Sequence, residues 1–259
     1  MNVTYFKKQI KYIRKNPKKL LNKLNYHTCQ YIFKKIFKEK SELSFIRTFS
    51  KTSRKEFINY LNDYKKHEKY FDEIKNKYQI VRKCNPSHQL WHKIIYLIVR
   101  IKKPKIIFET GVFEGLSTTN ILLALKDNNE GKLISFDLPP KYSIKSSTDL
   151  MKFSSLPKNY LSGWLIPNEL KDKWKLHLGD SKKILPKIIK KYKKIDIFLH
   201  DSLHTYEHMF WEYNIAWKHL KKKGLLLSDD VYFSKAFHKF SNIKNKKNHI
   251  THGFGLIIK

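Results

Sequence analysis

The chain has little cysteine, little arginine and little glycine, and no apolar run longer than the six residues Ile94 to Val99. Cys29 and Cys84 are the only cysteines, with no CxxC spacing and no histidine cluster around them, which excludes a disulfide framework and a structural zinc site. Six apolar residues do not cross a bilayer. The opening Met1 to Lys8 also lacks the apolar stretch of a secretory signal, so a reducing, cytoplasmic compartment is expected. Arg14, Arg47, Arg54, Arg82 and Arg100 are the only arginines among 54 basic residues. Nucleic-acid sites favour the planar, bidentate guanidinium, so a formal charge of +32 carried almost wholly by lysine argues against a nucleic-acid partner. A general bias of the sequence towards Lys, Ile, Asn, Tyr and Phe accounts for the excess.

Glycine is missing altogether from residues 1–85. There, Tyr5, Phe6, Ile10 and Ile13, then Leu20, Leu21 and Leu24, then Tyr31, Ile32, Ile36 and Phe37 recur at helical spacing, with a break at Pro17. This segment is expected to be a lysine-rich helical extension of the domain at 86–259. Its cationic faces are read as solvated surfaces that pack on the core or meet a second copy in a homo-oligomer, in preference to a peripheral membrane stripe.

The texture changes after a predicted helix from about Ser87 to Lys102. Apolar, β-rich runs at Ile106–Glu109, Lys132–Asp137, Trp174–Leu178, Ile195–His200, Leu225–Asp229 and Phe254–Ile258 alternate with helical stretches at Ser117–Leu125, Ser181–Tyr192, His204–Leu220 and Tyr232–Phe240. Runs such as Ile195-Asp196-Ile197-Phe198-Leu199 are continuous, as in parallel strands buried on both faces. The pattern predicts an α/β, doubly wound, Rossmann-like sheet with helices on both faces. Leu138–Lys173 is a long connection of the kind that forms a lid or binding loop, with Tyr142 and Trp164 placed to stack on a ring.

In such a sheet ligands bind at the C-terminal strand ends. The first strand ends in Glu109-x-Gly111-x-x-x-Gly115-x-Ser117, where Gly111 permits close approach of a ligand, Gly115 a tight turn, and Ser117 a helix cap. The spacing is not the GxGxxG of a dinucleotide site, which disfavours a nicotinamide-dependent oxidoreductase. Asp137 ends the second strand, where a carboxylate accepts ribose hydroxyls. Asp180 follows the third, placed either to meet an adenine amino group or to cap the next helix. The fourth strand ends in His200-Asp201-Ser202-Leu203-His204 and the fifth in Ser228-Asp229-Asp230. Crowded carboxylates repel one another unless a cation neutralises them, and oxygen donors suit Mg²⁺.

Phe108 to Ser117, His200-Asp201-Ser202-x-His204-x-Tyr206-Glu207 and Gly224-x-x-x-Ser228-Asp229-Asp230 together resemble the class I methyltransferases of the metal-associated O-methyltransferase branch, which act on sugars and catechols. The resemblance covers about residues 87–259 and implies S-adenosylmethionine as cofactor. It implies Glu109, Gly111, Gly115 and Ser117 around the methionine part, Asp137 at the ribose, Asp180 near adenine, and Asp201, Asp229 and Asp230 at Mg²⁺. Asp201 also borders the cofactor. It further implies a mostly parallel seven-stranded sheet with a reversed last strand, and methyl transfer to a hydroxyl of a small molecule or glycan. Asp201 or His204 is expected to take the hydroxyl proton. No Asn-Pro-Pro-Tyr or Asp-Pro-Pro-Tyr motif, which base-amine methylation would require, follows the fourth strand.

Overall fold

A computed structural model describes residues 41–86, 90–139 and 156–259. The helical periodicity of residues 1–40 and Tyr142 lie outside the described residues. The chain divides into two compact units, Met1–Ser44 and Phe45–Lys259, and the sheet and its helices belong to the second.

Helix α1 (Arg54–Lys65) starts at a capping box: Glu56 N–H donates to Ser53 Oγ at 3.2 Å, and Ser53 N–H to Glu56 Oε2 at 2.8 Å. Helix α2 (Glu68–Arg82) ends at Lys83 in the left-handed conformation, and α3 (Leu90–Lys102) follows. Helix α3 buries Trp91, Ile94, Ile95, Tyr96, Leu97, Ile98 and Val99, nearly all round, which explains why it is the longest apolar run of the sequence. Polar contacts tie the preceding segment to these helices: Arg100 forms an ion pair with Asp63 at 2.9 Å, and His67 Nε2 shares a hydrogen bond with Asp127 at 2.8 Å.

Alternation of strand and helix then builds the expected sheet. Its elements are β1 (Ile106–Thr110), α4 (Leu116–Asn128), β2 (Lys132–Asp137), β3 (Trp174–Leu178), α5 (Ser181–Ile189), β4 (Ile195–His200), α6 (Tyr206–His219), β5 (Leu220–Ser228), α7 (Ala236–Ile243), β6 (Asn248–Thr251) and β7 (Phe254–Ile258). The strand order is β3-β2-β1-β4-β5-β7-β6. The first five strands are parallel, and β7 runs antiparallel to both β5 and β6. The sheet therefore has seven strands, and the last one is reversed. Phe108, Phe136, Phe198, Leu226 and Ile257 face a core shared with α5, α6 and α7, while α3 and α4 pack against each other. Among the described residues no helix is long and apolar enough to cross a membrane.

Candidate active site

The reversal of strand order lies between β1 and β4, which run side by side but lead to neighbours on opposite sides. Backbone hydrogen bonds extend the ladder one residue past each strand here. Gly111 N–H donates to Phe136 O at 2.8 Å, Asp201 N–H to Thr110 O at 2.8 Å, Asp229 N–H to His200 O at 2.9 Å, and Gly179 N–H to Asp137 O at 2.9 Å. The sheet itself thus lines up the predicted residues along one edge.

The turn after β1 carries three left-handed residues in five, Gly111 (φ +84°), Phe113 (φ +50°) and Gly115 (φ +95°). The structure gives Gly111 a steric reason within the sheet. A Cβ there would stand 1.9 Å from the backbone oxygen of Asp201, so the glycine is needed to admit the end of strand β4. A Cβ on Gly115 would meet Ile166 at 2.6 Å and Gly163 Cα at 3.0 Å, so the second glycine admits the connecting loop. Ser117 does not cap α4, because Gly115 is the N-cap residue. Its hydroxyl instead donates to Glu109, which is fully buried and also accepts from Thr118 Oγ1 at 2.9 Å and Ser135 Oγ at 2.7 Å. Burial outweighs these three hydroxyls and pushes the Glu109 carboxyl up to about 7.

Asp137 accepts from Phe113 N–H and from Leu138 N–H, each at 2.8 Å, and so stitches the glycine turn to the end of β2. Asp180 caps α5, accepting from Lys182 N–H at 2.9 Å. The loop before β3 is anchored on the turn: Gly163 N–H donates to Phe113 O at 2.8 Å and Leu165 N–H to Glu114 O at 3.1 Å. Trp164, expected to stack on a ligand ring, packs against Tyr160 and Tyr78 instead.

Strands β4 and β5 are neighbours, as the site requires. Beyond their ends, donor atoms of Asp201, His204 and Asp229 all lie within 4.8 Å of one another. His204 Nε2 is 3.9 Å from Asp201 Oδ1, and Asp201 shares a hydrogen bond with Asp229. Asp230 is not one of the three. It adopts the left-handed conformation (φ +49°), and its carbonyl accepts from Phe233 N–H. Burial first, and then the other acids, raise Asp201 well above the usual carboxylate range. Burial and Asp230 push Asp229 up to about 7. Burial, with the neighbouring His200, presses His204 down to about 4, so its imidazole is neutral at pH 7. Among the described residues no lysine or arginine is ion-paired with these aspartates.

One functional neighbourhood was not visible in the sequence reading. Glu212, on α6, is fully buried and accepts from Thr110 Oγ1 at 2.6 Å, His200 Nδ1 at 2.6 Å, His208 Nε2 at 3.0 Å and Ser202 Oγ at 3.2 Å. It fixes the ends of β1 and β4 under the acid cluster. The one available signal was His208 and Glu212 four residues apart on a helix face otherwise committed to Met209, Tyr213 and Ala216.

Residues 108–231 match the family model described as a methyltransferase domain. None of the curated proteins matches the chain in sequence. Among solved structures, the chain is similar to a putative caffeoyl-CoA O-methyltransferase from Staphylococcus aureus, with 15% identity, a TM-score of 0.54, and coverage of 78% of this chain and 98% of that one. It is similar also to a methyltransferase from Geobacter sulfurreducens (16% identity, TM-score 0.51, 73% and 89% covered). A third is the O-methyltransferase TomG from Streptomyces achromogenes, solved with S-adenosylmethionine (14% identity, TM-score 0.50, 72% and 88% covered). At these identities the structures speak for the fold, and the domain match speaks for the chemistry that the fold carries. The chain thus carries a methyltransferase domain over residues 108–231, and its fold is the one those methyltransferases share.

Proposed function

We propose that this methyltransferase moves the methyl group of S-adenosylmethionine to a hydroxyl oxygen of a small molecule or glycan, with a divalent cation such as Mg²⁺ held beside the cofactor. The observation that carries the reading is the convergence of Asp201, His204 and Asp229 at the ends of β4 and β5, next to the glycine turn of β1. Both absent groups fit the residues present. Asp137 offers a carboxylate whose oxygens keep spare lone pairs for ribose hydroxyls, and Asp180 lies one strand further along the same edge. The two crowded carboxylates are hard oxygen donors of the kind Mg²⁺ takes, and the imidazole beside them is a nitrogen donor better suited to act as a base.

Asp201 and Asp229 would hold the cation, with Asp230 alongside. When bound, the cation supplies Lewis acidity that makes an adjacent hydroxyl more acidic. His204 is neutral and its Nε2 has no hydrogen-bond partner, so it takes the proton of the acceptor hydroxyl. Glu212 holds the ends of β1 and β4 in place, so that acceptor oxygen and methyl group meet in line, which is the main work of the reaction. A second reading, with His204 as third ligand, follows from the same distances.

The test is transfer of isotopically labelled methyl from S-adenosylmethionine to a panel of catechols and sugar-bearing compounds, with Mg²⁺ or with chelator. Label on oxygen that disappears with chelator supports the proposal, and label that is indifferent to chelation removes the cation. His204→Ala separates the two readings: as base it loses turnover and keeps Mg²⁺ affinity, whereas as ligand it loses both.

A further inference from the structure

Helix α2 belongs to the lysine-rich segment that the sequence sets apart from the catalytic domain, yet its last turn reaches the glycine turn. Arg82 Nε donates to Glu114 Oε1 at 2.6 Å. Glu114 is 3% exposed and is the residue between Phe113 and Gly115 in the turn. Tyr78, one helical turn earlier on α2, also donates to Glu114, and its ring stacks on Trp164 of the connecting loop. The Arg82 guanidinium lies 5.7 Å from the centroid of the Phe113 ring. Two neighbouring turn residues are thus gripped by one arginine.

The turn needs such a grip. Phe113 sits at φ +50°, a conformation that a bulky side chain adopts only when its surroundings impose it. Ties among the described residues impose it: Asp137 on the Phe113 N–H, Gly163 on the Phe113 carbonyl, Leu165 on the Glu114 carbonyl, and Arg82 and Tyr78 on the Glu114 carboxylate. The first tie uses the carboxylate that is proposed to receive ribose hydroxyls on its spare lone pairs, so the shape of the turn and the cofactor seat share one residue.

We infer that Arg82 and Glu114 are a positioning pair that holds the cofactor turn in its binding conformation, making α2 a working part of the S-adenosylmethionine site. This rests on the reading of the turn as the seat of that cofactor. Without Arg82, Glu114 is left as a buried carboxylate with, among the described residues, the Tyr78 hydroxyl as its side-chain partner, and the turn opens to hydrate it. Neutralising Glu114 as well removes that drive. The prediction is therefore a rescue, which a merely supportive contact does not produce.

The experiment is calorimetric titration of S-adenosylmethionine into the full chain, for wild type, Arg82→Met, Arg82→Lys, Glu114→Gln and the Arg82→Met/Glu114→Gln double variant, well below each unfolding midpoint. Contacting pairs couple strongly enough that Arg82→Met should weaken binding about tenfold, whereas the double variant should return to within about threefold of Glu114→Gln. Arg82→Lys, which keeps the charge, should fall between wild type and Arg82→Met. A pair that serves stability alone lowers the unfolding midpoint of Arg82→Met but leaves the affinity of the folded protein at the wild-type value, and that result overturns the inference. If the double variant binds no better than Arg82→Met, the charge argument is overturned too. Absence of binding by wild type contradicts the reading of the turn itself, which is distinguishable from both.

Discussion

Replacing Gly111 by alanine tests how tightly the site is built into the sheet. The new Cβ would lie 1.9 Å from Asp201 O, 2.5 Å from Asp201 C and 3.0 Å from Ser202 N, all backbone atoms that no side-chain rotation can move. Two costs add. A side chain at φ +84° costs about 1 kcal/mol in backbone strain. Forcing β4 and its following loop aside costs about 2 kcal/mol, as in other overpacked sites. For a chain of this size about 3 kcal/mol lowers the thermal midpoint by roughly 6–12 °C. The displaced residue is Asp201, so the cation response should fall with the stability, because the Asp201 N–H bond to Thr110 O is the one that must stretch. Differential scanning calorimetry of Gly111→Ala with and without Mg²⁺ measures both. A midpoint within about 2 °C of wild type, at full Mg²⁺ response, would refute the claim that this glycine exists to admit β4.

Glu212→Gln should destabilise the fold by about 3 kcal/mol, because it breaks a buried, multiply bonded charge. Burial alone would raise Glu212, but His200 and His208 outweigh it and hold the carboxyl well below its ordinary value. A depressed carboxylate contributes its full stability above the unfolded value of about 4.3 and loses it as pH falls below that, so the gap between wild type and Glu212→Gln should close in acid unfolding curves. Asp229 has the opposite sign. With its carboxyl raised to about 7, protons compete with Mg²⁺ below neutrality, so the Mg²⁺-induced rise in thermal midpoint should be larger at pH 8 than at pH 6. Asp180→Ala should lose about 1 kcal/mol in urea denaturation through the missing cap on α5.

Much of this architecture is legible in the sequence because burial on both faces leaves a simple mark. β4 reads as a continuous apolar run ending in His200-Asp201, and it lies beside β5 with Asp229 at its end. β6 left no such mark. Asn248-His249-Ile250-Thr251 is short, half-buried and at the sheet edge, so one apolar residue suffices there. The front of β5 was missed for a related reason, since Lys221, Lys222 and Lys223 extend the strand where it needs little burial. Tertiary detail was less legible still. Ser117 looked like a cap because Ser caps many helices, but Glu109 claims its hydroxyl inside the core. His204 lies with Asp201 and Asp229 in one cluster, and the left-handed backbone at Asp230 beside it is a feature that composition does not announce.

The edge formed by Gly111, Asp137 and Asp201 is proposed to seat S-adenosylmethionine. Titration calorimetry of S-adenosylmethionine into wild type and Asp137→Ala addresses it most directly. One binding site per chain is expected in wild type, with affinity lowered at least tenfold in Asp137→Ala, since the carboxylate is the proposed ribose acceptor as well as a tie of the turn. No heat of binding in wild type, with or without Mg²⁺, would contradict it.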